Sequence, residues 1–146
     1  MLRGSARAKV DEKGRLKLPA VFRSIIEPKY GKEFFVTSFR GESVRIYPME
    51  AWTRIEERLA KASSLNPAVM RFKTSVNYYG QCAVMDPQAR ILIHPVVREK
   101  AATHGDVTVL GQQDFLEVWN RTAFEERLNE EPLTDADLGV LAELGI

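Results

Sequence analysis

Two side-chain types on which enzymes and metalloproteins depend are scarce in this sequence. Cysteine occurs once, at Cys82, and histidine twice, at His94 and His104. A single thiol cannot close an internal disulfide, which agrees with a reducing, cytoplasmic setting. Cys82 is expected to pack as a small hydrophobe in a strand. Neither histidine has metal-ligand spacing to Cys82 or to the other, and His94 is expected to serve packing or surface. No apolar run approaches the roughly 20 residues of a membrane span, and no stretch has the layout of a secretory signal. A phosphate-cradling glycine loop, a nucleophile serine motif and a dinucleotide fingerprint are also missing. Enzyme activity, a metal, a cofactor and a small-molecule substrate are therefore not expected.

What is present suffices for a folded domain. A chain of 146 residues buries roughly 68–70% of its unfolded surface, enough for a core without staples. Net charge is only +1, but it is unevenly spread. Residues 1–24 carry seven bases against Asp11 and Glu12, a net of +5, whereas residues 117–146 carry Arg121 and Arg127 against eight acids, a net of −6. Such asymmetry points to a polyanion at one end and a solvated acidic segment at the other.

The chain repeats itself. Val10-Asp-Glu-Lys-Gly-Arg-Leu-Lys-Leu-Pro19 returns as Met85-Asp-Pro-Gln-Ala-Arg-Ile-Leu-Ile-His94, with Asp11 matching Asp86 and Arg15 matching Arg90 at an offset of 75. Each copy reads as a turn feeding an alternating strand. Asp11 can bond its own backbone two residues on, and Gly14 supplies a positive φ. Pro19 opens a helix over 20–26, which Pro28 ends. Strands follow over 33–37 and 43–47. Trp52, Ile55, Leu59 and Ala62 then recur at helical spacing. Asn66-Pro67 starts a second helix with Val69, Phe72, Val76 and Tyr79 on one face and Gly80 as its C-terminal cap.

From Cys82 the first half is replayed, with strands over 107–111 and 115–119, and Glu125-Glu-Arg-Leu128 repeating Glu56-Glu-Arg-Leu59. Two copies imply a duplication packed about a pseudo-two-fold axis. The organisation is a first unit over 1–62, a linking helix over 63–80, a second unit over 81–130 and an acidic helix or tail over 131–146. In that tail Thr134 and Asp137 form a capping box before Leu138, Leu141 and Leu144, a helix that either docks or frays. Tyr47, Trp52, Trp119 and Phe124 sit at matching places and read as core or subunit-contact aromatics.

Arg7, Lys9, Lys13, Arg15 and Lys17 share one parity, so a hairpin presents all five on one surface. A basic strand face can be simply solvated. Five bases with Asp11 alone as counter-charge instead suit phosphate contact, or a ribbon in the major groove where arginine reads guanine. The second copy keeps Arg90 but has Leu92 in place of Lys17, so it is less basic.

These motifs resemble the MraZ family of bacterial transcriptional regulators. The resemblance rests on Met1-Leu-Arg-Gly, Asp-Glu-Lys-Gly-Arg-Leu-Lys-Leu-Pro, Leu65-Asn-Pro67, Cys82, Asp-Pro-Gln-Ala-Arg-Ile-Leu-Ile and the Val109-Leu-Gly-Gln112 to Phe115-Leu-Glu-Val-Trp119 segment. It runs from residue 1 to about residue 128. It implies an α+β fold of two tandem SpoVT-AbrB-type swapped-hairpin units, forming a barrel-like pseudo-dimer with short helices around it. It also implies a ring-shaped homo-oligomer that binds direct repeats in double-stranded promoter DNA. The target would be the cell-division and cell-wall gene cluster, including the protein's own gene, usually repressed. The protein would then be cytoplasmic and associated with the nucleoid.

The family's Asp-x-x-Gly-Arg signature falls on Asp11, Gly14 and Arg15, and on Asp86, Ala89 and Arg90. Arg15 is the first choice for DNA contact, with Lys13, Lys17, Arg3, Arg7, Lys9 and Arg90 beside it. Ala89 departs from the glycine, so that turn is expected to be built differently or strained, which bears on the orientation of Arg90. The alternative is an antitoxin-like protein-interaction module, since AbrB-type folds serve both ends.

Overall fold

Alternating polarity carries eight segments into strands and 3.6-residue periodicity carries six into helices. The computed structural model describes residues 1–146. In chain order the elements are β1 (Ser5–Val10), β2 (Arg15–Lys17), α1 (Ala20–Tyr30), β3 (Glu33–Thr37), β4 (Val44–Pro48), α2 (Met49–Lys61), α3 (Pro67–Tyr78), β5 (Gln81–Val84), β6 (Arg90–Leu92), α4 (Pro95–Lys100), β7 (Gly105–Gly111), β8 (Leu116–Asn120), α5 (Arg121–Glu130) and α6 (Asp135–Glu143). The fold is α+β. All strands join one antiparallel sheet in the order β5-β3-β4-β8-β7-β1-β2-β6, which curls into a nearly closed barrel.

The pairing exchanges strands between the halves. β1 pairs with β7 over six residues, and its counterpart β5 pairs with β3. The central contacts join like to like, β2 with β6 and β4 with β8. Six of the seven pairings map onto another or onto themselves when first-half and second-half strands are interchanged, β1 with β2 being the exception, and this is the pseudo-two-fold arrangement the repeat implies. The expected hairpin of β1 and β2 is correspondingly short, its ladder reduced to Val10 opposite Leu16. Strand length is spent on the other half instead.

Inward positions alternate as the sequence pattern requires. Leu16, Ile91, Val36, Val109, Val44 and Val118 are buried in one core, which the helices close with Phe22 and Ile26 of α1 and Val97 of α4. Each such side chain contributes roughly 1.5–3 kcal/mol relative to exposure. A second cluster joins Tyr47, Ala51, Trp52 and Val76, so α3 caps the first half, held by Thr37 Oγ1 donating to the Val76 carbonyl at 2.7 Å. The equivalent aromatics of the second half, Trp119 and Phe124, lie 5.8 Å apart and stay half-buried.

Four local expectations need correction. Pro28 lies inside α1, which continues to Tyr30 and ends at Gly31 with φ 79°. So near the C-terminus the proline forfeits one backbone bond, and Phe22 and Ile26 anchor the helix before it. Gly80 is not a left-handed cap, because α3 is capped by Tyr79 in the right-handed region. A Cβ at Gly80 would stand 2.2 Å from the Phe35 ring and 2.4 Å from the Val76 carbonyl oxygen, so glycine is needed there for close approach. Cys82 is exposed rather than packed, on the outer side of β5 where the first half has Arg7. Finally, Ala62 drops out of the α2 stripe as its exposed C-cap. The Asn66 cap and the Thr134–Asp137 capping box form as expected.

Candidate nucleic-acid interface

The turn between β1 and β2 is organised by one carboxylate. Asp11 Oδ1 accepts from the backbone N–H groups of Lys13 and Arg15 at 3.0 and 2.9 Å, and Oδ2 accepts from Arg15 Nε at 2.8 Å. The second turn repeats this bond for bond. Asp86 Oδ1 accepts from Gln88 and Arg90, both at 2.9 Å, and Oδ2 accepts from Arg90 Nε at 2.7 Å. In both turns the arginine spends Nε on its own aspartate and keeps the guanidinium tip free, with 30% of the Arg15 side chain and 26% of the Arg90 side chain exposed. Sequence reasoning found the residues but missed this fixing of the arginine by the aspartate four residues earlier.

The carboxyls carry the electrostatic imprint. Asp11 is held below the ordinary carboxylate range by the Arg15 backbone amide, helped by the Arg15 guanidinium and opposed by burial. For Asp86 burial raises the value, but bonds from the Arg90 amide and guanidinium and the Gln88 amide outweigh it, so its value is lowered too. Both aspartates stay ionised and keep their arginines oriented.

Ala89 adopts the same left-handed conformation as Gly14, φ 59° against 85°, so the second turn is strained rather than rebuilt and Arg90 points as Arg15 does. The turns are also tied crosswise. Ile93 N–H donates to the Gly14 carbonyl and Leu18 N–H to the Ala89 carbonyl, both at 2.8 Å. What separates them is an arginine from the following helix. Arg98 Nη1 donates to the Ile93 carbonyl and occupies the space over Gly14, where a Cβ would stand 1.7 Å away. Its counterpart Arg23 turns to Glu27 at 2.8 Å, while the buried Ala89 holds the second turn.

The sheet gathers most of the predicted bases. Residues directly opposite in an antiparallel pair share a face. Val10 and Leu16 point inward, so Arg7, Lys9, Arg15 and Lys17 point outward. Lys17 stands opposite Arg90 on β6, so the second unit's arginine joins the stripe rather than forming a site of its own. A depression of about 390 Å³ lies between Arg7, Lys9, Lys17 and Pro19. Lys13 sits exposed at the turn tip. Arg3 is apart from them. Leu2 bridges to Gln113 beyond the far end of β1, whose Ser5 is itself roughly 17 Å from Val10 at strand rise. Asp106 is a counter-charge the sequence reading did not see. It stands opposite Lys9 and lies 3.8 Å from Arg121.

At the pseudo-equivalent positions of the second unit Cys82, Val84 and Leu92 are exposed where the first has Arg7, Lys9 and Lys17, and Leu92 stands opposite Arg15 within the shared outer face of β2 and β6. His94 is buried without a well-formed hydrogen bond at either ring nitrogen; burial and then the nearby Arg98 charge lower its pKa, and a backbone contact at Tyr79 opposes them only in part. No group of three or more His, Cys, Asp or Glu side chains is placed to hold a metal ion, and no helix is long and apolar enough to cross a membrane.

Comparison with known proteins matches this sequence to one family. The family model for the MraZ protein matches residues 1–74 and 81–138. The chain is 46% identical over 146 residues to the transcriptional regulator MraZ of Acidobacterium capsulatum, covering 100% of both chains. It is 42% identical over 147 residues to that of Koribacter versatilis, again covering 100% of each. To the transcriptional regulator MraZ of Escherichia coli O9:H4 it is 30% identical over 132 residues, 90% of this chain and 87% of the other. The chain belongs to the MraZ family.

Proposed function

We propose that this MraZ-family chain is a transcriptional regulator that binds double-stranded DNA through the outer face of β1, β2 and β6. The observation that carries the reading is the convergence of Arg7, Lys9, Arg15, Lys17 and Arg90 on that face, with Arg15 and Arg90 locked by Asp11 and Asp86. Lysines on such a face neutralise phosphates and set affinity. A guanidinium whose Nε is already fixed presents its two terminal nitrogens as a fork, the geometry that reads guanine O6 and N7. Preorganisation matters here because less side-chain freedom is lost on binding.

The finer reading follows from the resemblance. The chain assembles as a homo-oligomeric ring, several basic faces meet direct repeats at regular spacing, and the bound promoter of the division and cell-wall cluster is repressed. Linked faces raise effective concentration, so weak single contacts sum to a tight complex. Such a protein works in the cytoplasm, on the nucleoid. Footprinting on the DNA upstream of the protein's own gene tests this. Short protected repeats at a fixed spacing are expected, and their absence at protein concentrations that saturate nonspecific DNA would refute it.

A second reading has one observation in its favour: the exposed Cys82 and Val84 of β5 suit a protein partner, as in an antitoxin. Salt-dependent retention on immobilised DNA separates the two, because a protein-binding module has no need of the basic face.

A further inference from the structure

The last helix is out of place as a surface helix. Apolar residues at 136, 138, 140, 141, 142 and 144 cover about two thirds of its circumference at 100° per residue, with Asp135, Gly139 and Glu143 together on the remaining arc, a far wider apolar face than a solvated surface helix needs. Yet α6 buries no side chain, and Leu138 and Leu144 are 51% and 68% exposed. It is well formed locally, since Thr134 and Asp137 cap each other's backbone at 3.1 and 3.0 Å. Its charges are of one sign. Residues 128–146 hold five acids and no base. Glu143 in the last turn faces the negative end of the helix dipole with no basic residue beside it, an arrangement that an external cation would relieve.

Elsewhere the same chain carries an open groove of opposite character. Two depressions of about 490 and 470 Å³ share Tyr78 and Tyr79 at the end of α3 and run on to Val96 and Lys100 of α4 on one side and Met70 and Arg71 on the other. Tyr78 is 68% and Met70 54% exposed. α3 contains Arg71 and Lys73 and no acid, and Glu99 is the groove's one negative side chain. Both surfaces are unpartnered within the chain, so α6 does not occupy this groove in its own molecule.

We infer that α6 of one copy docks in the Met70–Tyr78–Val96 groove of a second copy, its acids meeting Arg71 and Lys100. The inference rests on the homo-oligomer reading above and names the interface. Helix and groove are different surfaces, so the contact is heterologous. Repeated head to tail, such contacts close a ring or run on as a filament, and do not stop at a two-fold dimer. The docked helix would cover part of the apolar surface that α3 and α4 leave open, and leave the basic face of β1, β2 and β6 free.

The test uses two full-length variants altered only at exposed positions, L138E/L144E on the helix and M70E/Y78E on the groove, with light scattering for mass and circular dichroism for folding. Each variant alone is expected at 16.6 kDa under conditions where the wild-type chain is assembled. An equimolar mixture is expected at twice that mass and no more, because one intact helix and one intact groove remain between the two. Charge reversal is an independent arm. E143K with D135K, or R71E with K100E, should each weaken assembly at least tenfold, and combining them should restore it. A variant that keeps the wild-type mass, or two monomeric variants that fail to pair on mixing, overturns the inference. A wild-type chain that is itself monomeric overturns the homo-oligomer reading, and the inference with it.

Discussion

The pseudo-two-fold axis places a glycine and an alanine in equivalent left-handed positions, and substituting each by the other should have unequal effects. In Gly14→Ala the new side chain pays a left-handed conformational cost of about 1–2 kcal/mol. The Cβ would stand 1.7 Å from Arg98 Nη1 and 2.9 Å from the Ile93 carbonyl oxygen, so Arg98 must leave its bond to that oxygen. A hydrogen bond to a charged group is worth about 1.5–3 kcal/mol. Against these, alanine restricts the unfolded chain and returns about 0.4–1 kcal/mol. The net loss is about 2–4 kcal/mol. In Ala89→Gly relief of the same left-handed cost is offset by a looser unfolded chain and by loss of a buried methyl worth about 0.8 kcal/mol, which leaves a change near zero. Denaturant midpoints at fixed protein concentration measure both. At this chain length the Gly14→Ala melting temperature should fall by roughly 5–15 °C. In an Arg98→Ala background the Gly14→Ala cost should shrink to about the conformational part, the sign of direct coupling between the two positions. A Gly14→Ala variant within about 0.5 kcal/mol of wild type, or an unchanged cost without Arg98, would refute this account of the turn.

Arg15→Ala should weaken binding to the promoter repeats by about 5- to 150-fold per engaged subunit, the range of one lost bidentate base contact, while the melting temperature changes little, since the Asp11–Arg15 pair is half-buried and the Asp11 bonds to the backbone amides of the turn do not need the Arg15 side chain. Unchanged anisotropy titrations would remove Arg15 from the site. Lys17→Ala and Lys13→Ala should each lower the slope of log affinity against log salt by about one unit if they contact phosphate, and an unchanged slope excludes that contact. His94 has a lowered pKa in the fold. The unfolded chain therefore binds its proton first, and stability is full above the ordinary value near 6.5 and declines as pH falls through the folded value. His94→Phe should flatten that decline in urea midpoints between about pH 4 and 7, and an equal decline in the variant would acquit His94. Asp11 and Asp86 act lower still, their stabilisation present above the unfolded value near 3.9 and lost as pH falls through their lowered values. Asp11→Asn with Asp86→Asn should flatten acid unfolding in that range.

Much of this was written locally and could be read locally. The duplicated turn, the Asn66 and Thr134 caps and the parity of the basic stripe are set by residues within a few positions of each other, where backbone chemistry decides the outcome. The strand exchange could not be read that way. A strand with one apolar face is satisfied by any antiparallel partner in register, and nothing in Ser5–Val10 says that its ladder will be made with β7 rather than β2. Cys82 is a different case. The repeat offset of 75 pairs it with Arg7, whose outward parity the sequence does give, so its exposure on β5 was legible and the expectation of a packed thiol overlooked the repeat.

The consequence for the site is that its composition is a property of the exchange. Had each half closed on its own hairpin, Arg15 and Arg90 would belong to two separate faces, one basic and one weakly so. Because β2 and β6 pair, Lys17 lies against Arg90 and Arg98 reaches Gly14, so residues from both units build one face. The second unit could therefore replace Arg7, Lys9 and Lys17 by Cys82, Val84 and Leu92 without giving up its share in that face, provided it kept Asp86 and Arg90, which hold the turn. Ala89 marks the limit of that freedom: with Arg23 turned away to Glu27, a methyl fits where a glycine is required in the first turn.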